Sequence, residues 1–151
     1  MQLSKEACCA IALLMGTGVT LQAGVNSQLR LVTGSPILTA LLSFSVGTLV
    51  LLVIFLLTST QSLPPLSTLG GISWWKWMGG VLGACYITTV ILIAPRIGAA
   101  NTIGFLVAGQ LIFAVVLDHF GLIGFSPRSV SLYRVLGVLL MLAGVYLVQK
   151  Y

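Results

Sequence analysis

The sequence predicts an all-α integral membrane protein, five transmembrane helices in a single domain spanning residues 1–151, and three observations predict it. Hydrophobic residues make up 58% of the chain and charged residues 6%, with a mean hydropathy of +1.14, so polar groups are too few to cover a water-soluble globule. The apolar residues gather in five runs, each long enough at a helical rise of about 1.5 Å per residue to cross bilayer hydrocarbon. The seven Lys and Arg stand singly between those runs, where they meet anionic headgroups. No basic cluster exists to hold nucleic acid, despite the net charge of +5.

The first span covers residues 7–29 and is closed by Arg30. Lys5 ahead of an apolar run suits a signal peptide, but the run continues to Leu29 without an Ala-x-Ala cleavage signature, so it is read as a retained span. The second, 36–57, opens with Gly34-Ser35-Pro36, where proline suits the first helical turn because it lacks an amide that would go unpaired there. Thr58 to Gly71, with Pro64-Pro65 and several Ser, Thr and Gly, is expected to be an exposed loop. Trp74, Trp75, Lys76 and Trp77 form an aromatic and basic belt at headgroup level, leading into the third span, 77–94. The fourth, 97–118, is the most informative: twenty-one uncharged residues separate Arg96 from Asp118, and among them lie the amides Asn101 and Gln110. Lipid cannot satisfy those amides, so they must face protein, water or a ligand. After a loop over Gly121 to Ser131, which contains Pro127 and Arg128, the fifth span covers 132–148.

Small residues recur at the spacing that helix contacts require. Gly16, Thr20 and Gly24 form one ladder on the first helix, and Gly18, Gln22 and Asn26 form a second. Thr39, Ser43 and Gly47 repeat the pattern in the second span, and Gly79 and Gly83 in the third. Gly137 and Gly144 are assigned the same packing role in the fifth. Small residues let backbones approach closely where packing must replace the hydrophobic effect.

The polar positions admit two readings each. Gln22 and Asn26, one turn apart, offer donors and acceptors without charge to a polar or zwitterionic ligand, or else form an interhelical clamp. Gln110, Ala114 and Asp118 line up an amide deep in the membrane with a carboxylate near its edge. Asp118 and His119 either relay protons or cap and anchor their helix ahead of Gly121. Arg96, after Pro95, is expected at a span entrance, as an interfacial anchor or as an anion-attracting guanidinium at a helix N-terminus.

Enzyme chemistry fits poorly: the one histidine excludes a bis-histidine haem site in a single chain, and His119, Asp118 and Glu6 gather at no common depth. Cys8, Cys9 and Cys85 match neither a zinc spacing nor a disulfide framework and read as small apolar residues. No catalytic residue, metal or cofactor is expected.

Gly18-x3-Gln22-x3-Asn26-x2-Leu29, Gly34-Ser35-Pro36 with Ser43-Phe44 and Gly47, Ala94-Pro95-Arg96-x-Gly98, Ala108-Gly109-Gln110 and Asp118-His119-Phe120-Gly121 together resemble the short YdcZ-like subfamily of the drug/metabolite transporter superfamily, over nearly the whole chain. The last span, with Gly144-Val145, and the Ala94-Pro95-x-x-Gly98 segment also resemble the small multidrug resistance transporters. Those carry a buried glutamate in the first helix, whereas here that helix has only Glu6, at its start. The resemblance implies a half-transporter unit of five helices in the inner membrane, and hence a dimer around a polar cavity.

An odd number of spans puts the termini on opposite faces, with Lys5, Lys76, Arg128 and Arg134 on one side and Arg30, Arg96 and Lys150 on the other. So even a tally barely selects an orientation, and inverted halves build many secondary transporters. The expected function is a secondary transporter subunit for a small polar metabolite or drug-like solute, working by alternating access as an antiparallel homodimer or as a heterodimer with a similar subunit. The expected substrate-binding residues are Gln22, Asn26, Asn101 and Gln110. A passive dual-topology channel and a non-transporting assembly subunit are the alternatives.

Overall fold

In chain order the helices of the computed structural model are α1 (Lys5–Thr33), α2 (Pro36–Thr58), α3 (Leu66–Gly70), α4 (Met78–Ile97), α5 (Ala99–Phe120) and α6 (Leu132–Lys150). A 3-10 turn at Trp74–Trp77 leads into α4, and another at Leu122–Gly124 follows α5. The structure describes residues 4–58 and 65–151. Among them there is no strand, and five helical segments, α3 excepted, are long and apolar enough to cross a membrane. The all-α membrane architecture is therefore the one the sequence predicts. Large apolar side chains such as Leu21, Leu51 and Leu140 are exposed along these helices, as lipid-facing residues must be.

Helix boundaries follow from local chemistry. The Ser4 hydroxyl accepts from the Ala7 amide at 3.2 Å and starts α1, and Gly34, left-handed at φ 68°, ends it with its amide donating to the Arg30 carbonyl at 2.9 Å. Ser35 then accepts from the Leu38 amide and Pro36 opens α2, so two residues turn the chain back. The hydroxyls of Thr33 and Thr39 meet at 2.6 Å across that turn. Ser131 starts α6 by accepting from the Arg134 amide.

The chain divides into two compact units, Met1–Ile93 and Ala94–Tyr151. In the first, the buried residues include Ala23 and Asn26 of α1, Thr39 and Ala40 of α2, and Ile87, Val90 and Ile91 of α4, with Tyr86 packed against Ala40, Ile87 and Ile91. Gly83 of α4 faces the Phe44 ring of α2: a Cβ there would lie 3.6 Å from it, in ordinary van der Waals contact. In the second, α5 packs on α6 through Gly104, where a Cβ would stand 3.2 Å from Val145.

Two local expectations are corrected. Part of the expected Thr58–Gly71 loop is helical, as α3, while residues 59–64 lie outside the described residues. The break expected at Pro95-Arg96, between the third and fourth spans, falls at Gly98 instead, because α4 runs through Pro95 to Ile97. Proline lacks the amide that would bond the carbonyl four residues back, at Ile91. That carbonyl instead accepts from the Arg30 guanidinium at 2.8 Å, so the helix continues with the defect repaired. Gly98 does stop it, at φ 85° and ψ 157°, a conformation essentially reserved for glycine.

Candidate solute-binding site

On α1, Gln22, Asn26 and Arg30 recur every fourth residue and so share one face. Gln22 is exposed and lines an open groove of about 210 Å³ together with Ser43, Phe44, Gly47, Thr48 and Leu51 of α2. Thr48 returns its hydroxyl to the Phe44 carbonyl at 2.8 Å, which leaves Gln22 and the half-buried Ser43 as the groove's polar side chains with a free role. One turn on, Asn26 is 3% exposed and its Nδ2 has no hydrogen-bond partner among the described residues. A buried amide donor left unpaired costs about 1–3 kcal/mol, so it calls for a partner from outside the described chain. Arg30, half-buried, completes the ladder with its bond to Ile91.

The other predicted residues lie in the second unit. Asn101 donates from Nδ2 to the Ile97 carbonyl at 2.8 Å and so serves the end of α4. Gln110 is exposed, two residues and about 200° of helix rotation from the buried Ala108. Asp118 accepts from Arg134 Nη2 at 2.8 Å, an ion pair in which both side chains are under one-third exposed. Arg134 also donates through Nη1 to the Arg128 carbonyl at 3.1 Å, and the Arg128 amide donates to the Asp118 carbonyl at 2.7 Å. His119 Nδ1 accepts from the Val130 amide at 3.2 Å. Asp118 and His119 thus fasten the α5–α6 loop to the end of α5.

Arg96 is exposed in the last turn of α4, where its charge complements the negative end of the helix dipole, so of its two readings the guanidinium at a helix N-terminus is the one the structure does not support. Among the described residues, a Cβ at Gly16, Gly24, Gly79, Gly137 or Gly144 would meet nothing within 4 Å, in contrast to Gly83 and Gly104. Sequence reasoning missed three roles, those of Arg30, Arg134 and Gly104. Pro95 was a signal for the first, because a proline inside a helix always frees a carbonyl; Gly104 could have been found from the small-residue run Ala100, Gly104, Ala108.

Comparison with known proteins agrees with this architecture. Residues 7–147 match the family described as "Putative inner membrane exporter, YdcZ". The chain is 32% identical over 142 residues to the inner membrane protein YdcZ of Escherichia coli strain K12, covering 93% of this chain and 94% of that protein. No solved structure matches. The family is one of transporters and not of enzymes, and the five apolar helices make this a multi-pass inner membrane protein. The chain belongs to the YdcZ family of the drug/metabolite transporters.

Proposed function

We propose that this protein is a secondary transporter subunit that moves a small polar solute across the inner membrane by alternating access, as an antiparallel homodimer. The observation that carries the reading is the open groove that Gln22 lines with Ser43 and Thr48, one helical turn from the buried Asn26. A groove of about 210 Å³ that one chain leaves open becomes a closed site only when more protein covers it. The open glycine faces at Gly16, Gly24, Gly79, Gly137 and Gly144 supply smooth surface for such a contact. Five spans and the four-to-three division of Lys and Arg favour insertion in both orientations. Binding then favours one arrangement of the two subunits over the other, and the site changes sides. The family's description as an exporter favours outward movement.

Counterflow in proteoliposomes tests the mechanism: a carrier shows saturable exchange of labelled solute, whereas a channel shows flux without exchange and an assembly subunit shows neither. A sided reporter on each terminus tests the assembly. Carboxy termini confined to one face would eliminate the antiparallel homodimer.

A further inference from the structure

Arg30 stands apart among the seven basic residues. Lys5, Lys76, Arg96, Arg128 and Lys150 are exposed, while Arg30 and Arg134 are half-buried. Arg134 is neutralised by Asp118. The chain has one other acidic side chain, Glu6, which lies 24 residues from Arg30 on the same helix, about 36 Å away. Asp118 is taken up by Arg134 and Glu6 is far along α1, so among the described residues no carboxylate is paired with Arg30, whose hydrogen bond goes to the neutral Ile91 carbonyl. A guanidinium carries five N–H donors, and that bond uses one of them. One turn away, on the same helical face, the buried Asn26 amide presents a second donor with no partner. Unbalanced charge and an unpaired donor are each costly where water is scarce, and a single oxyanion would satisfy both.

We infer that Asn26 and Arg30 form an oxyanion-binding site and that the transported solute carries a carboxylate or phosphate group, held by the Arg30 guanidinium and the Asn26 Nδ2. The inference rests on the transporter reading and narrows its substrate class. Gln22, a further turn along, would meet the uncharged part of the same solute in the α2 groove. One fixed cation and neutral amides hold an anion while still letting it go, as a carrier requires.

The test uses the full chain in phosphatidylcholine nanodiscs, with melting followed as sodium acetate, succinate or phosphate replaces chloride at constant ionic strength. At least one oxyanion should raise the melting temperature saturably, by several degrees. Arg30→Gln should abolish the response, and Arg30→Lys should weaken it about tenfold by removing the planar fork. Asn26→Asp places a carboxylate one turn before Arg30, so it should raise the melting temperature without added anion and silence the response; it remains decisive even where Arg30→Gln fails to fold.

The site is overturned by a response to none of the three anions, by an undiminished response in Arg30→Gln, or by a lower melting temperature in Asn26→Asp. Arg30-dependent stabilisation by phosphatidylglycerol alone would overturn it in favour of a lipid headgroup. A loss in Glu6→Gln equal to that in Arg30→Gln would overturn it in favour of a carboxylate from a second copy. Counterflow keeps the two readings apart: Arg30-dependent binding of an oxyanion that is never exchanged sinks the transporter but leaves the site. Exchange of a neutral solute unchanged in Arg30→Gln sinks the site but leaves the transporter.

Discussion

Within Ala94–Tyr151, Asp118 is held by Arg134, His119 by the Val130 amide and Asn101 by the Ile97 carbonyl. Within Met1–Ile93, by contrast, Asn26 has a buried donor without a partner, Gln22 faces an open groove, and Arg30 is balanced by no carboxylate. Both units place polar groups in or near lipid, but the second closes those of Asp118, His119 and Asn101 on itself, with Gln110 left exposed, while the first leaves Gln22 and Asn26 open. Self-satisfied polar groups hold a shape; unsatisfied ones wait for something to arrive. Under the proposed function, the comparison makes one unit the scaffold and the other the place of recognition.

The largest expected stability effect falls in the scaffold. Gly121 is left-handed at φ 60°, and a Cβ there would stand 2.7 Å from Pro127 Cγ. Gly121→Ala should therefore cost about 2–4 kcal/mol, read as a drop in melting temperature. Breaking the ion pair comes next: Asp118→Asn should cost about 1–2 kcal/mol while counterflow persists. Loss of counterflow with the fold intact would move Asp118 into the recognition machinery and undo the division.

A change in the opposite direction is expected at Ile123, an exposed β-branched residue at φ 55°. Ile123→Gly should stabilise the α5–α6 connection by about 1 kcal/mol, because a branched side chain is strained there. Pro95→Ala restores the amide that the Ile91 carbonyl lacks, so Arg30→Gln should cost less in that background. A double-mutant cycle should show coupling of about 0.5–1 kcal/mol. The smallest stability effect, under about 0.5 kcal/mol, belongs to Gln22→Leu, since leucine suits an exposed membrane-helix position. The same variant should lower counterflow at least tenfold, and unchanged counterflow would remove Gln22 from the solute path.

Most of the architecture is legible in the sequence because hydrocarbon thickness fixes helix length and composition reports burial in lipid directly. The turn at Gly34-Ser35-Pro36 and the stop at Gly121 were equally readable, since their backbone chemistry is local. The α4–α5 break was misplaced because proline is the stronger breaker by propensity, yet Arg30, 61 residues from Ile91, supplies the missing bond. Such a repair is a tertiary fact that no local window contains. For the same reason Arg134 reads as one more loop charge until the fold brings it to Asp118. The ladder of Gln22 and Asn26 was visible from spacing alone; that Asn26 is buried while Gln22 is open depends on how α1 is turned.

Gly98 joins α4 to α5 as a single residue, at a backbone conformation that no side chain tolerates well. Every missense change reachable from a glycine codon by one base introduces a side chain, so this position offers no nearby neutral mutation. Insertions and deletions meet the same obstacle, because a one-residue joint has no slack to absorb them. Genetic drift in this protein should therefore leave Gly98 alone while the lipid-facing leucines exchange freely with other apolar residues.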